Sequence, residues 1–281
     1  MGVERIDACF AALKAEGRAG FVPFITAGDP TRDFSLDLLK ALPGAGADLI
    51  ELGMPFSDPM ADGPAVQASS LRALKRHMTL QGTLEMVAAF REGDKHTPII
   101  LMGYCNPIFT YGPERFAKAA ANAGVDGLII VDLPPEEEGE VKPFTDVQGL
   151  ALIRLVAPTT DDARLKRVIQ GTSGFVYFIS ITGITGTKTF TVDDILPALE
   201  RLSRATHLPR AVGFGIRTPE HAAAVACVAD AVVIGSAIVG EIEHGLDEKG
   251  VARDGAKDKV IAFVRSLASA VRGAREKAVA R

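Results

Sequence analysis

The sequence predicts an α/β protein of the (β/α)8 TIM barrel class, with residues 1–281 forming a single domain. Short runs rich in Val, Ile and Leu alternate with longer amphipathic stretches. The short runs are apolar throughout, as parallel strands covered on both faces should be. The chain has 281 residues, and a barrel of this class needs about 250. No Pro- or Ser-rich linker divides the chain, which favours one barrel over two doubly wound domains.

Eight candidate strands follow one another along the chain, at residues 20–26, 48–53, 98–103, 127–132, 150–156, 174–180, 211–214 and 231–235. Helical patterns fall between them, for example at 34–42, 80–91, 114–122, 162–170, 193–203 and 219–228. Gly46 and Gly124 stand where a helix ends and the chain turns into the next strand. In both cases an Asp follows two residues later, and a related segment ending at Asp230 precedes the last strand.

Additional helices decorate this repeat. An extra N-terminal helix over residues 3–14 precedes the first strand, and we expect its Ile6, Phe10 and Leu13 to cap the amino end of the barrel. The loop after the second strand is long and becomes helical beyond Pro64. Apolar residues at helical spacing over 257–277 predict a last outer helix.

Charge and composition argue against several classes of partner and location. The net charge of −4 and the pI of about 5.8 disfavour a nucleic-acid or anionic-membrane partner. Three cysteines without a CxxC pair indicate a reducing compartment and no structural zinc. No apolar run approaches about 18 residues and no signal-peptide pattern opens the chain, so we expect a cytoplasmic protein.

The sequence gives no sign of a metal site or of a nicotinamide-cofactor site. None of the five histidines has metal-ligand spacing with another His or Cys. No GxGxxG motif follows the first strand, where a dinucleotide-binding protein would carry it. We therefore expect no cofactor in this chain.

Two carboxylates fall near the carboxyl end of the second strand, where barrel enzymes carry their chemistry. Glu51 lies near the end of an apolar strand. Burying a carboxylate there is costly unless the group is paired, neutralised or used in chemistry. Asp62 follows in the loop that should fold over the strand end. Two acids in different environments suit acid–base chemistry on a small molecule. Glu51 could instead be a structural acid bonded to a neighbour, and Asp62 a turn or helix cap.

Small residues after the last two strands predict a phosphate site. Gly213 and Gly215 flank the end of the seventh strand, and Gly235 and Ser236 open a short helix over 237–243. Backbone N–H groups and a helix N-terminus favour an anion, and barrels commonly hold phosphate at these two loops. Ordinary tight turns are the alternative. The polar, Gly-rich segment 182–187 after the sixth strand suits a lid over that phosphate.

Several distinctive stretches lie at 21–30 (FVPFITAGDP), 51–64 (ELGMPFSDPMADGP), 101–107 (LMGYCNP), 126–134, 180–187 and 212–239. Together they resemble the tryptophan synthase alpha chain family. The resemblance covers at least residues 20–240, and the motifs are specific to this family rather than to barrels in general. The fold of the family is a (β/α)8 barrel, in agreement with the strand count.

The resemblance implies a lyase that cleaves indole-3-glycerol phosphate to indole and glyceraldehyde 3-phosphate, a step of tryptophan biosynthesis. This retro-aldol reaction requires protonation of the indole ring at C3 before the carbon–carbon bond breaks. Glu51 is the implied acid, because desolvation should raise its pKa towards neutrality. Asp62 should accept a hydrogen bond from the indole N–H, and Tyr177 should orient these acids.

The resemblance also implies binding residues, taken position by position. The indole pocket and its surroundings comprise Phe24, Val66, Met102, Tyr104, Leu128 and Phe214. The phosphate and lid motifs comprise Thr185, Gly186, Gly213, Phe214, Gly215, Gly235 and Ser236. No metal ligand is implied.

A partner is implied as well, because family members work as an α2β2 heterotetramer in which indole passes to a pyridoxal-phosphate β subunit. The implied contact surface comprises Pro55, Phe56, Ser57, Asp58, Asn106, Pro107, Asp132, Leu133 and Pro134. An exposed Phe56 among prolines at a loop tip also indicates an interface on physical grounds. The pyridoxal phosphate belongs to the partner.

Other functions remain open at this point. Another phosphosugar barrel would share the phosphate loops, although no Lys at a strand end suits the acid role of an indole-glycerol-phosphate synthase. A non-catalytic barrel that only activates a partner has no reason to keep Glu51, Asp62 and Tyr177. A stand-alone indole-3-glycerol-phosphate lyase would keep all three and use no β subunit.

Overall fold

The structure is a computed structural model that describes residues 2–180, 191–213 and 215–279. The described part of the chain contains one parallel sheet, in the order β5-β4-β3-β2-β1-β9-β8-β7-β6. The strands are β1 (Gly20–Thr26), β2 (Ile50–Gly53), β3 (Ile99–Gly103), β4 (Gly127–Ile130), β5 (Ala151–Leu152), β6 (Arg154–Val156), β7 (Val176–Ile179), β8 (Arg210–Gly213) and β9 (Ala231–Ile234).

The two end strands of this sheet close it into a barrel. β5 and β6 are the two halves of the predicted fifth strand and are separated only by Ile153. β5 pairs with β4, and β6 pairs with β7. The N–H of Ile153 donates to the carbonyl of Leu128 at 2.9 Å, which continues the ladder across the break. The predicted (β/α)8 barrel is therefore confirmed, with eight strand positions and the fifth interrupted.

Thirteen α-helices surround the sheet within the described residues. They are α1 (Gly2–Ala15), α2 (Arg32–Ala41), α3 (Pro64–Lys75), α4 (Leu80–Arg91), α5 (Cys105–Tyr111), α6 (Pro113–Ala123), α7 (Lys142–Val147), α8 (Asp162–Gln170), α9 (Val192–Ala205), α10 (Pro219–Ala226), α11 (Ser236–His244), α12 (Ala256–Arg272) and α13 (Ala274–Val279). Among these described helices, none is long and apolar enough to cross a membrane.

The prediction of one last helix over 257–277 is wrong in one respect. α12 ends at Arg272, and α13 begins at Ala274 as a separate helix. Gly273 forms the break and is the C-cap of α12. Gly has the highest conformational freedom of any residue and readily ends a helix, which the apolar spacing alone did not reveal.

The recurring Asp before a strand has a common structural role. The side chains of Asp48, Asp126 and Asp230 each accept a hydrogen bond from a backbone N–H at the start of a neighbouring strand, at 2.8–2.9 Å. Each also pairs with at least one Arg side chain. Gly46 and Gly124 adopt φ values of 103° and 91°, as the predicted turns require. These acids hold neighbouring units of the barrel in register.

Two apolar clusters divide the core. One lies between the sheet and the outer helices, and the other fills the barrel interior. Ile6, Phe10 and Leu13 of α1 belong to the interior cluster, and the ring centroid of Phe10 lies 5.6 Å from that of Phe175. The expectation that α1 caps the amino end of the barrel is confirmed. The carboxyl end remains available for a site.

Candidate active site

Glu51 occupies the interior of the barrel near the end of β2. Its register partners are Phe24 on β1 and Ile100 on β3, two side chains of the interior cluster. Only 1% of Glu51 is exposed, and its Oε1 atom has no hydrogen-bond partner among the described residues. Burial raises the pKa of Glu51 to about 8. A carboxyl group with this pKa is largely protonated at neutral pH and can donate a proton.

Asp62 lies two residues before α3, in the loop that leaves β2, and is half-buried. Burial raises its pKa to about 6, and a hydrogen bond with the Tyr104 side chain acts in the opposite direction. The Tyr104 hydroxyl also accepts the Ala61 N–H at 3.1 Å. Tyr104 therefore holds the loop at two successive residues. Asp62 is ionised at neutral pH, unlike Glu51, so the two acids have the separate environments that acid–base chemistry uses.

Tyr177 projects from β7 into the same interior and is almost fully buried. Its pKa is raised well above its ordinary value, first by burial and then by the negative charges of Glu51 and Asp62. The phenol therefore keeps its proton and can serve as a hydrogen-bond donor. The effect of both carboxyl groups on the pKa of Tyr177 places the phenol close to both acids.

Gly213 makes room for this tyrosine. A Cβ atom built on Gly213 would lie 2.1 Å from the Tyr177 hydroxyl oxygen, far inside any allowed contact. The Gly213 carbonyl accepts a hydrogen bond from the Ser180 hydroxyl at 2.8 Å. The absence of a side chain at this position thus has a packing cause, in addition to any approach of a ligand to the backbone.

Apolar side chains complete the walls of the pocket. Phe24, Val66 and Met102 line it beside the acids. The Phe24 ring fits between two glycines, because Cβ atoms built on Gly53 and Gly235 would lie 2.6 and 3.3 Å from its carbon atoms. A flat aromatic group could bind against these surfaces with its polar edge toward the acids.

One cavity brings together most of the residues predicted from the sequence. Its lining contains nine of them, namely Glu51, Asp62, Tyr177, Phe24, Val66, Met102, Gly215, Gly235 and Ser236. Gly215 adopts a φ of 77°, which favours glycine, and Gly235 is the N-cap of the nine-residue helix α11. The N-terminus of α11 therefore lies at the cavity that holds the acids.

Three other predicted residues do not line this cavity. Tyr104 forms a hydrogen bond with Asp62, and Gly213 packs against Tyr177. The placement of Leu128 in the indole pocket is wrong, because Leu128 packs in the cluster between the sheet and the helices. Ile129 faces the barrel interior instead, since successive side chains of a strand point to opposite faces. Thr185, Gly186 and Phe214, with the rest of the predicted lid, lie outside the described residues.

Four residues of the lining were missed from the sequence: Gly63, Ile216, Arg217 and Val233. Val233 could have been found from the strand alternation, since it lies two residues before Gly235 on the same face. Arg217 lies four residues after the end of β8, in the loop before α10. It could have been found by extending the Gly213–Gly215 motif to the next helix cap.

The predicted partner surface surrounds the loop after β2 and the starts of the next two loops. Ser57, Asp58, Asn106 and Asp132 are exposed, and Pro55, Pro107 and Pro134 are half-buried. The backbone N–H of Cys105 donates to Asp132 Oδ1 at 2.7 Å, which connects two of the segments. Leu133 is buried, so its side chain is not available at this surface.

The description of Phe56 as an exposed loop-tip residue is wrong. Phe56 is half-buried, and its ring centroid lies 5.4 Å from that of Tyr104. The loop turns the ring back onto the tyrosine that contacts Asp62. The exposed apolar side chain of this loop is Met60, which is 82% exposed.

Within the residues that the structure describes, no group of three or more His, Cys, Asp or Glu side chains could hold a metal ion. The ionisable groups of the cavity are acids, a phenol and one guanidinium. The arrangement can supply a proton from Glu51, accept a hydrogen bond at Asp62 and bind an anion at the glycine-rich edge.

The model of the family described as "Tryptophan synthase alpha chain" matches residues 10–272. This chain belongs to the tryptophan synthase alpha chain family. A tryptophan synthase alpha chain of Caulobacter vibrioides (strain NA1000 / CB15N) is 59% identical over 275 residues, covering 98% of each chain. One of Phenylobacterium zucineum is 56% identical over 271 residues, covering 96% of each chain.

Solved structures of the tryptophan synthase family share the fold. The tryptophan synthase subunit alpha of Legionella pneumophila is 38% identical, with a TM-score of 0.87, and the match covers 95% of this chain and 98% of that one. A structure of Mycobacterium tuberculosis tryptophan synthase is 31% identical, with a TM-score of 0.86, and covers 95% and 98%. The barrel of the alpha chain family is thus present over nearly the whole length.

Proposed function

We propose that this chain cleaves indole-3-glycerol phosphate to indole and glyceraldehyde 3-phosphate, with Glu51 and Asp62 as its catalytic acids. The observation that carries the proposal is the buried carboxyl group of Glu51. Its Oε1 atom has no partner among the described residues, and its pKa is about 8. A protonated acid in a pocket with an apolar wall matches the requirement for protonating an aromatic carbon.

The first step is proton transfer from Glu51 to C3 of the indole ring. Positive charge then grows on the indole nitrogen, and the ionised Asp62 stabilises it by accepting the N–H hydrogen bond. Tyr104 assists indirectly, because its hydrogen bond lowers the pKa of Asp62 and keeps the carboxylate ionised. The protonated Tyr177 lies beside both acids and orients them.

The second step returns the proton. The Glu51 carboxylate removes the proton from the hydroxyl on the carbon attached to the ring. That carbon becomes the aldehyde, the bond to C3 breaks, and its electron pair restores the aromatic indole. Glu51 is again protonated, so no oxidant, reductant or cofactor of this chain is consumed. Acid–base chemistry alone closes the cycle.

The indole ring and the phosphate group of the substrate bind against different walls of the cavity. The indole ring packs against Phe24, Val66 and Met102. The phosphate lies at Gly215, Gly235 and Ser236, where the N-terminus of α11 supplies N–H donors and a favourable partial charge. Gly213, Thr185, Gly186 and Phe214 belong to the same proposed phosphate and lid set.

The proposal includes a partner and a location. Pro55 to Asp58, Asn106, Pro107 and Asp132 to Pro134 would contact a tryptophan synthase β subunit in an α2β2 heterotetramer. That subunit would hold pyridoxal phosphate and receive the indole. The contact between the Phe56 and Tyr104 rings connects this surface to the residue that forms a hydrogen bond with Asp62. We also propose one domain over residues 1–281 and a cytoplasmic location, which the charge and cysteine content support.

The test is indole release from indole-3-glycerol phosphate, with the purified chain alone and with an added β subunit. The chain has no Trp, so indole fluorescence can be followed without intrinsic tryptophan emission. Slow release alone that rises sharply with the β subunit would support both the reaction and the partnership. Fast release that the β subunit does not change would indicate a stand-alone lyase. No release under either condition would refute the enzymatic proposal.

A further inference from the structure

Arg217 introduces a positive charge at the phosphate edge of the cavity. It lines this cavity together with Gly215, Gly235 and Ser236. Among the described residues of the lining, it is the single cationic side chain, and Glu51 and Asp62 are the two acidic ones. The residue as a whole is exposed.

The backbone on both sides of Arg217 is held in place. Ile216 is buried, with 4% of its surface exposed. Thr218 is the N-cap of α10, and its hydroxyl accepts the His221 N–H at 3.3 Å. Pro219 then begins the helix. The buried Ile216 and the helix cap at Thr218 therefore fix the position from which the long Arg217 side chain extends.

The cavity is already marked as a ligand site by an independent observation. Glu51 is fully buried at its base, and its Oε1 has no partner within the described structure. At the other edge, α11 begins at Ser236, which lines the same cavity together with its N-cap Gly235, and the helix is nine residues long. An anion bound there would bring two negative charges into a cavity that already contains the ionised Asp62. A cation at that edge would offset the repulsion.

We propose that the Arg217 guanidinium binds the phosphate group of the substrate directly, alongside the backbone N–H groups at Gly215, Gly235 and Ser236. The inference rests on the proposed function, because that function supplies a phosphate-bearing substrate. Guanidinium matches phosphate with two parallel N–H donors, and such charge-assisted bonds are about twice as strong as neutral ones. Arg217 is thus a phosphate-binding residue that selects the dianionic end of the substrate, without a part in the proton transfers.

The test compares Arg217→Gln, which removes the charge, with Arg217→Lys, which keeps it. Arg265→Gln on the exposed face of α12 is the matched control, since it makes the same charge change away from the cavity. For each protein, kcat and KM for indole-3-glycerol phosphate are measured with saturating β subunit. Competitive inhibition constants are then measured for glycerol 3-phosphate and for indole, which carries no phosphate.

For Arg217→Gln we expect KM and the glycerol 3-phosphate inhibition constant to rise about 10-fold, with kcat within about 2-fold of wild type. Arg217→Lys should recover part of that loss, and the indole constant should be unchanged in every variant. The wild-type inhibition constant for glycerol 3-phosphate should weaken with added salt more steeply than that of Arg217→Gln. Arg265→Gln should behave as wild type.

An unchanged glycerol 3-phosphate constant in Arg217→Gln would overturn the inference. So would an equal loss for indole and glycerol 3-phosphate, or a fall in kcat at unchanged KM, because each would mean a structural role. If Arg217→Gln fails to fold by circular dichroism, Arg217→Lys decides: a raised glycerol 3-phosphate constant with an unchanged indole constant would support the guanidinium contact, and wild-type values for both would overturn it. Absence of indole release from the wild-type protein would refute the proposed function itself, a result separate from any ratio between variants.

Discussion

Replacing Glu51 by Gln should remove a pH-dependent loss of stability from the folded chain. The folded carboxyl group has a pKa of about 8, compared with an ordinary value of 4.5. Between these values the unfolded chain releases the Glu51 proton and the folded chain retains it. Stability therefore falls as pH rises from about 4.5 to 8 and is constant with respect to this group outside that window. Glutamine does not titrate, so Glu51→Gln lacks this loss.

The size of the effect follows from the same two values. At about 1.4 kcal/mol per pH unit, the interval from 4.5 to about 8 corresponds to about 5 kcal/mol of unfolding free energy. Entry of water into an open cavity reduces that figure, so we expect Glu51→Gln to gain at least about 2 kcal/mol on wild type between pH 4.5 and pH 8.5. An amide that lacks partners adds a cost of about 1–3 kcal/mol, but this cost is the same at every pH.

Urea unfolding at pH 4.5, 6.5 and 8.5, followed by far-UV circular dichroism, measures the difference. With an m value of about 3 kcal/mol/M, 2 kcal/mol moves the midpoint by about 0.7 M. Glu200→Gln on the exposed face of α9 is the control and should give the same midpoint difference at each pH. The same Glu51→Gln protein should bind substrate and release no indole. A stability difference that does not change with pH would refute the conclusion that the Glu51 carboxyl group is buried and protonated. A variant that keeps a tenth of the wild-type turnover would show that Glu51 is not the central acid.

Three further substitutions test the neighbours of Glu51. Asp62→Asn should lower kcat by about 10²–10⁴-fold in steady-state assays, and unchanged kinetics would leave Asp62 as a turn residue. Tyr104→Phe removes the hydrogen bond that lowers the Asp62 pKa, so the low-pH limb of the kcat/KM profile, expected near the value of about 6, should move to higher pH. Gly213→Ala places a methyl group 2.1 Å from the Tyr177 hydroxyl oxygen, so the ring must move, and both kcat and the thermal midpoint should fall. A wild-type pH profile or a wild-type melting curve, respectively, would contradict the last two.

The fold was predictable because its signals are local and repeated. Strand β1 matches its predicted bounds, and α4 and α8 do as well, since Thr79 and Asp161 cap them through their side chains. The interruption at Ile153 was not predictable, because it depends on how β5 and β6 pair with different neighbours. Apolar content alone cannot separate one long strand from two short ones.

The site was predictable only where strand ends determine it. Glu51, Tyr177 and Met102 follow from strand position, and alternation along β4 would have chosen Ile129 over Leu128. The lining residue Arg217 was missed because it lies in a connection, where no periodicity predicts the direction of a side chain. At Gly213 the sequence is insufficient for a different reason. The glycine-rich motif predicts an anion site there, and only the three-dimensional structure shows the contact with Tyr177.

Glu51 differs from two other buried acids, Asp29 and Asp126, in the partners of its carboxyl group. Asp29 pairs with Arg72 through two hydrogen bonds, at 2.7 and 2.9 Å. Asp126 pairs with Arg91 at 2.7 Å and also with Arg5. Both acids therefore have cationic partners within the chain and need no ligand. Glu51 is equally buried, yet no cation or hydrogen-bond donor of the described structure reaches its Oε1 atom. A position selected for stability would be apolar or paired, so this unpartnered carboxyl group in the lining of a cavity supports the proposed proton transfer from Glu51 to a ligand.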